Sequence, residues 1–342
     1  MIITATPYRI SFFGGGTDYP VWFREHGGAV LATSINRYCY LSCRFLPPFF
    51  EFKHRIVWSS IELVYKEEDI RHPAVREAIR YLKIDEGLEI HHAGDLPARS
   101  GLGSSSSFAV GILHALHALK GKLVSKQQLA REAIWLEQEL LEEDVGVQDQ
   151  ITAAYGGLNI VEINTSGDFR INPLPLTSER KKALEQHLLL VYTGISRTAS
   201  EVARKKIESI PTKQNILQQM QAMVSEAADV LVNGRDVTDF GRMLHESWQL
   251  KRSINASIST TLVDDLYQKA RAAGAIGGKL LGAGGGGFVL LFVRPEHRQS
   301  VLDALADFLV VPFEIEDHGT RMVLYEPEHY SLTSMTRRDF VR

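Results

Sequence analysis

The stretch that most restricts this chain is Pro97–Gly111, "PARSGLGSSSSFAVG", with three glycines and five serines in 15 residues. It runs straight into "SFAVGILHALHALKG", whose apolar residues recur at three- and four-residue spacing and stop at Gly121. That spacing predicts a helix. A helix N-terminus presents backbone N–H groups without intrahelical partners and the positive end of the helix dipole. Glycines before it let a charged group approach the backbone, and serine hydroxyls add donors. A cap alone needs one serine and one glycine, so the stretch is read as a phosphate cradle. Two familiar phosphate loops do not fit it. "GAIGGKLL" has Leu280 where G-x-x-x-x-G-K-[ST] needs a hydroxyl residue, and "GLGSSS" ends on Ser106 where G-x-G-x-x-G needs glycine.

The 342 residues suit two domains. Before residue 65, "MIITAT", "GAVLATSI", "RYCYLSCRF" and "RIVWSS" read as strands. "HPAVREAIRYLKI" reads as a helix, "GLEIHHAGD" as a strand and "KQQLAREAIWLEQELLEE" as a helix capped by Ser125. Two strands, "GGLNIVEI" and "DFRINPL", follow. Near residue 180 the texture changes: strand "HLLLVYTG" leads into a mainly helical region from Ser200 to Ala273. A glycine run and strand, "GKLLGAGGGGFVLLFV", a helix, "RQSVLDALADFL", and a last strand, "GTRMVLYEP", complete the pattern. Domains are expected at 1–180 and 181–342. Strands and helices are mixed rather than strictly alternating, which predicts an α+β fold.

Composition excludes some functions. A formal charge of -3 and a pI near 6.5 leave no basic stripe for a nucleic-acid partner. The local clusters Arg180-Lys181-Lys182 and Arg204-Lys205-Lys206 sit beside Glu179, Glu185 and Glu201 and read as solvated helix faces. Two cysteines, Cys39 and Cys43, cannot make a disulfide framework and suit a reducing compartment. The opening "MIITATPYRI" lacks a signal-peptide pattern, and no run of 18 apolar residues occurs. A cytoplasmic protein with no membrane partner is expected.

Three more stretches attract attention. "TPYRISFFGGGTDYP" sets Arg9 and Asp18 around a glycine turn and, alone, reads as a strand with a glycine hairpin. "EQELLEEDVGVQDQITAAYGG" puts Glu137 on a helix and Asp149 in a less regular, less charged stretch, where an acid needs a reason. A phosphotransferase needs a magnesium ligand and often an acid at the acceptor hydroxyl, and these two could supply them. "KLLGAGGGGFVLLFV" has more glycine than a β-turn needs. Glu142 and Glu143 are a poor glycosidase pair, because adjacent helix residues do not face one bond.

Three separated glycine-rich motifs in this order resemble the GHMP kinase superfamily, over the whole chain. The middle motif is similar to the family's P-x-G-x-G-L-G-S-S-A. The resemblance implies a two-domain α+β fold: an N-terminal domain with a left-handed β-α-β unit and a ferredoxin-like C-terminal domain. It implies ATP between them, with Mg²⁺. Pro97, Arg99, Gly101, Leu102, Gly103, Ser104, Ser105 and Ser106 would surround the phosphates. Ser105, with Ser104 as fallback, and Glu137 would hold the magnesium. Asp149 matches the catalytic aspartate and Arg9 the basic position beside it. Gly15, Gly16, Thr17, Asp18 and Tyr19 would face the acceptor with Gly284, Gly285 and Gly286.

Galactokinases read G-E-H-T-D-Y in motif one, whereas this chain reads Gly14-Gly15-Gly16-Thr17-Asp18-Tyr19. The exchange removes hexose contacts and opens space. Arg99-Ser100 likewise departs from the glycine-rich start of motif two and adds a charge. Both departures resemble the sugar-phosphate branch of the superfamily, whose acceptors include D-glycero-D-manno-heptose 7-phosphate. The reaction implied is transfer of the ATP γ-phosphate to the anomeric O1, giving a 1,7-bisphosphate for nucleotide-heptose synthesis. "YTGISRTASEV" is the clamp expected for the acceptor's phosphate, through Tyr192, Thr193, Gly194, Ser196, Arg197 and Thr198; its plain alternative is a capped strand-to-helix loop. The alternatives are a galactose- or fucose-type kinase and a non-catalytic nucleotide sensor on the same fold. A monomer or homodimer is expected.

Overall fold

The computed structural model describes residues 1–47, 49–195 and 207–326. Two sheets carry the chain. The first, nine-stranded, is ordered around two long strands, β1 (Ile2–Phe13) and β2 (Gly28–Phe45). β2 joins the two strands expected at "GAVLATSI" and "RYCYLSCRF" into one. The continuity comes from across the chain: Asn36 N–H donates to the Glu314 carbonyl (3.0 Å), and Glu314 N–H donates to Asn36 Oδ1 (2.8 Å). Being 18 residues long, β2 holds β6 (Leu158–Ile163) against its first half and β5 (Leu88–Gly94) against its second. The hairpin β3 (His54–Val57) and β4 (Ile61–Val64) extends the sheet beyond β5, with β3 parallel to β5 across a connection through helix α2 (Pro73–Leu82). β7 (Phe169–Pro173) pairs with β6.

Helix α3 (Ser104–Leu119) crosses this sheet with Ser106–Leu113 entirely buried. It is apolar nearly all round because the sheet covers one side and α2, α4 (Lys126–Trp135) and α5 (Gln148–Tyr155) cover the others. Gly111 permits the close approach: a Cβ there would meet Thr6 Oγ1 at 2.8 Å. Ser107 Oγ donates to the Pro7 carbonyl (2.9 Å), which pins the first turn of α3 to β1.

After α6 (Ser178–His187) comes the second sheet: β8 (Leu188–Tyr192), β9 (Ala275–Leu280), β10 (Phe288–Val293) and β11 (Leu309–Val311). Its order, β11-β8-β10-β9, all antiparallel, is the fourth-first-third-second arrangement of a ferredoxin-like unit. Between β8 and β9 run α7 (Gln214–Val232), α8 (Val237–Ile254) and α9 (Thr261–Ala272), and α10 (Arg298–Ala304) leads to β11. The last strands, β12 (Ile315–Glu316) and β13 (Arg321–Tyr325), return to pair with β2 and β1 in the first sheet.

The "FFGGGTDYP" segment is not a simple hairpin. A short helix, α1 (Pro20–His26), is inserted between β1 and β2. Its Trp22 is buried in the core of the second sheet and donates to Gln221 Oε1 (3.1 Å). Phe12 and Phe13, at the end of β1, meet the Phe240 ring edge-on at 5.3 and 5.1 Å. Motif one is thus held by both cores at once.

α8 lies on β9 through glycine. A Cβ at Gly277 would sit 1.9 Å from the Gly241 carbonyl oxygen. Gly277→Ala must push the helix off the sheet, an overpacking cost of roughly 1–3 kcal/mol. A melting temperature lowered by several degrees is expected, and an unchanged melting curve would show that the helix yields freely.

Candidate active site

The site grows from one residue of β1. Arg9, only 4% exposed, points off the sheet. Its Nε and Nη2 donate to the two carboxylate oxygens of Asp149, each at 2.6 Å, and its Nη1 donates to the Gly101 carbonyl at 2.6 Å. Asp149 is the second residue of α5, a regular helix rather than the irregular stretch expected from its glycine-flanked sequence. The fork of a guanidinium matches a carboxylate in two parallel bonds and fixes its rotation. A Cβ added to Gly103 would lie 3.3 Å from Asp149 Oδ2 and 3.1 Å from Arg9 Cγ. The acid, the arginine and the glycine-serine loop before α3 therefore share one wall.

The loop itself is built from left-handed residues: Gly101 (φ 83), Gly103 (φ 71) and Arg99 (φ 58). Gly103 is the N-cap of α3 and has no side chain with which to cap its first turn. The N–H groups of that turn have no intrahelical partners, and Gly103, Ser104 and Ser105 line the cavity. The four consecutive serines do four different things. Ser104 Oγ accepts from Arg99 N–H (3.0 Å) and closes the loop. Ser105 is exposed in the cavity. Ser106 is buried and donates to Glu137 Oε2 (2.7 Å), and Ser107 ties α3 to β1.

Glu137 lies in a π-helical turn, Leu136–Leu140, that continues α4. The extra residue per turn is a local register change of the kind found at functional sites. It sends the carboxylate into the interior, 1% exposed, where Oε2 also accepts from Gln150 Nε2 (2.6 Å). Oε1 is buried with no hydrogen-bond partner among the described residues. Burial pushes the acid up to about 7, against the pull of the Ser106 and Gln150 hydrogen bonds and aided by Glu143. An orphaned carboxylate oxygen beside the exposed Ser105 hydroxyl fits a hard divalent cation, which takes oxygen ligands.

Motif one closes the far side. Asp18 Oδ1 accepts from Gly16 N–H (2.9 Å), and Gly146 leaves room for its other oxygen, because a Cβ there would be 1.9 Å away. Thr17, fully buried, donates to the Gly14 and Ala29 carbonyls and holds the turn shut. Burial raises the Tyr19 phenol, with the Asp18 charge adding to the effect.

Motif three packs on motif two, backbone to backbone. A Cβ at Gly101 would meet the Leu281 carbonyl oxygen at 2.7 Å, one at Gly282 would meet Gly101 Cα at 2.5 Å, and one at Gly287 would meet the Ser100 carbonyl oxygen at 2.2 Å. Phe288 N–H donates to the Ser100 carbonyl (3.2 Å).

Between these walls is a cavity of about 350 Å³. Of the residues expected there, Arg9, Gly15, Asp18, Tyr19, Arg99, Gly101, Gly103, Ser104, Ser105 and Asp149 line it. Others support it from outside. Leu102 is in the core, where its carbonyl accepts from Arg9 N–H, and Pro97 is exposed beyond the loop. Gly284 packs on Ile258 and Gly286 on Ile195, while Gly285 N–H donates to the Ile258 carbonyl. Thr193 Oγ1 donates to the Gly287 carbonyl (2.9 Å), the Tyr192 ring lies tilted against Phe288 at 5.0 Å, and a Cβ at Gly194 would meet open space. Ser196, Arg197 and Thr198 lie outside the described residues. Lys251, from α8, and Lys279, from β9, also line the cavity; neither belongs to the motifs that mark the site in the sequence. Lysine in an amphipathic helix carries no signal that its end is turned inward.

Residues 65–157 match the GHMP kinases N terminal domain, and residues 223–311 match the GHMP kinases C terminal. The chain belongs to the GHMP kinases. As a GHMP kinase it is an ATP-dependent phosphotransferase with an alcohol group as acceptor. It is 28% identical over 328 residues to the D-glycero-alpha-D-manno-heptose 7-phosphate kinase of Campylobacter jejuni, covering 89% of this chain and 93% of that one. It is 28% identical over 323 residues to the bifunctional fucokinase/GDP-fucose pyrophosphorylase of Arabidopsis thaliana, 86% of this chain but 30% of that protein. In fold it is similar to a D-glycero-D-manno-heptose 1-phosphate kinase from Bacteriodes thetaiotaomicron (TM-score 0.77, 24% identity, 95% of this chain and 100% of that one). A crystal structure from Campylobacter jejuni superposes with a TM-score of 0.71 at 25% identity, over 94% and 97% of the two chains. Among the described residues, no helix is long and apolar enough to cross a membrane.

The raised acid of Glu137 has a consequence for stability. Its folded pKa, near 7, stands above the ordinary value of 4.5, so the fold favours the neutral acid. Its contribution to stability is fully present below pH 4.5 and is lost as pH rises through 7. For the ligand-free GHMP kinase, Glu137→Gln should flatten the fall in melting temperature between pH 5 and pH 8. Parallel pH profiles for wild type and variant would contradict this.

Proposed function

We propose that this GHMP kinase transfers the γ-phosphate of ATP to the anomeric O1 of D-glycero-D-manno-heptose 7-phosphate, giving the 1,7-bisphosphate and ADP. The observation that carries the kinase chemistry is the Arg9–Asp149 pair set against the phosphate loop at Gly101 and Gly103. The acceptor is supported by the Campylobacter relative, which bears the name of a heptose 7-phosphate kinase and is covered nearly end to end. It is also supported by Gly15, where a Cβ would meet nothing nearer than Ser11 Oγ at 3.4 Å. That glycine leaves space at the acceptor end which a side chain would fill.

The residues divide the work. The N–H groups of the first turn of α3, with Gly101, Gly103 and Ser104, hold the phosphates at the positive end of the helix. Ser105 and Glu137 would hold Mg²⁺, which neutralises charge on the phosphate oxygens when bound. Asp18 and Tyr19 orient the sugar. Asp149 accepts a hydrogen bond from the O1 hydroxyl. As O1 bonds to the γ-phosphorus and the bond to the bridging oxygen breaks, ADP leaves with that electron pair and the O1 proton passes to Asp149. Arg9 holds Asp149 in this position and keeps it aligned with the loop. Catalysis of this kind is mainly positioning and electrostatics.

Asp149→Asn should retain ATP binding and lose roughly two to four orders of magnitude in turnover. Near-normal turnover would remove Asp149 from the reaction. A coupled ADP-release assay over hexoses, hexose phosphates and heptose 7-phosphate should give the highest kcat/KM with heptose 7-phosphate. Strong activity on free galactose or fucose with none on heptose 7-phosphate would replace the proposed acceptor.

A further inference from the structure

We propose that Ser11 and Gln148 hold a hydroxyl of the acceptor other than the one that is phosphorylated, and so select a sugar by that hydroxyl. The inference deepens the reading of the site as a sugar kinase with Asp149 at the acceptor, and rests on it. Both side chains line the cavity, yet they are only 6% and 8% exposed. Ser11 Oγ and Gln148 Oε1 are buried and have no hydrogen-bond partner among the described residues. Leaving a buried polar atom unpaired costs free energy, and two in one cavity wall need a reason. The two side chains converge. A Cβ built on Gly15 has Ser11 Oγ (3.4 Å) and Gln148 Nε2 (3.9 Å) as its nearest neighbours. The missing side chain of Gly15 leaves the space in front of both.

Their position follows from the chain. Ser11 stands two residues after Arg9 on β1, where the pairing with β2 is unbroken, so both side chains leave the same face. Gln148 immediately precedes Asp149 in α5. Ser11 and Gln148 therefore lie beside the Arg9–Asp149 pair, with Ser11 about 7 Å further along the strand. That direction leads away from the body of α3, which runs back along β1. Thr4 Oγ1 donates to the Gly111 carbonyl (3.3 Å), Ser107 Oγ to the Pro7 carbonyl (2.9 Å), and Arg9 N–H to the Leu102 carbonyl (3.1 Å). Ser11 is past the end of this ladder, on the motif-one side of the helix N-terminus. Neither side chain is charged, which suits a neutral hydroxyl better than a phosphate. A hydroxyl donates to the Gln148 carbonyl oxygen and accepts from the Ser11 hydroxyl, satisfying both orphan atoms at once. Turning the amide over leaves the match intact, because a hydroxyl of sugar or serine can take either role.

The test is steady-state kinetics of wild type, Ser11→Ala and Gln148→Met. The acceptors are the sugar that wild type uses best and its singly deoxygenated analogues. Each variant should lower kcat/KM for the parent sugar about 10-fold, as loss of one hydrogen bond does, with KM for ATP within about twofold. On one analogue, the one lacking the hydroxyl that is held, wild type should fall about as far and the variants should lose little more. Melting temperatures should stay at the wild-type value or rise, because each substitution deletes an atom that the ligand-free fold leaves unpaired. Equal losses on every analogue, with no single hydroxyl coupled to either side chain, would overturn the inference. So would a rise in KM for ATP with the sugar unaffected, which would give the two side chains to the nucleotide. A melting temperature lowered by several degrees in both variants would make them structural and overturn it too. The analogues derive from whichever sugar is used, so a preference for a sugar other than heptose 7-phosphate removes the proposed acceptor and leaves this test in force. Normal turnover by Asp149→Asn would remove Asp149 from the reaction, and the coupling to one hydroxyl would still decide where Ser11 and Gln148 act.

Discussion

Everything in the site is referred to the side chain of Arg9. It is a buried cation with three fixed bonds, two to a helix and one to a loop, and it issues from the central sheet. Removing Asp149 would leave this charge buried without its partner, a situation that commonly costs several kcal/mol. The pair therefore holds together more than it binds. It sets the start of α5 against the loop before α3, and it fixes the rotation of the carboxylate beside that loop. Site geometry and local packing are one arrangement here.

The second constraint is the absence of side chains. Motifs two and three touch through Gly101, Gly282 and Gly287, where any Cβ would collide with backbone of the other motif. The two units of the protein approach each other at this seam, and the cavity opens beside it. The glycine run in motif three is thus largely a packing device. Gly284, Gly285 and Gly286 serve it from behind, against Ile258 and Ile195, rather than facing the cavity. The serines obey the same economy, since only Ser104 and Ser105 line the cavity while Ser106 and Ser107 fasten the helix from beneath.

Several features could be read directly. The helix after "GLGSSSS", the strand "FVLLFV" and the α+β mixture all follow from periodicity and glycine placement. Other features were hidden for definite reasons. The seven-residue helix α1 is too short to show a period, and its start at Pro20 reads equally well as a turn. The two predicted strands before residue 46 are one, because Glu314, far along the chain, bridges the expected break at Asn36. Asp149 lies in a helix too short and too polar to display an apolar stripe. The inward turn of Glu137 depends on a π-helical register that spacing alone does not show.

What the amino-acid order determined by itself was the inventory: a soft loop before a buried helix, acids downstream of it, and a glycine run before a strand. Those are local properties, because glycine freedom and helix termini depend only on neighbours in the chain. What the tertiary structure decided was which members of that inventory meet. It paired Arg9 with Asp149 across 140 residues, turned Ser106 away from the cavity toward Glu137, and brought Lys251 and Lys279 in from the second unit. Burial is set by what packs around a residue, and for these side chains the partners come from distant segments.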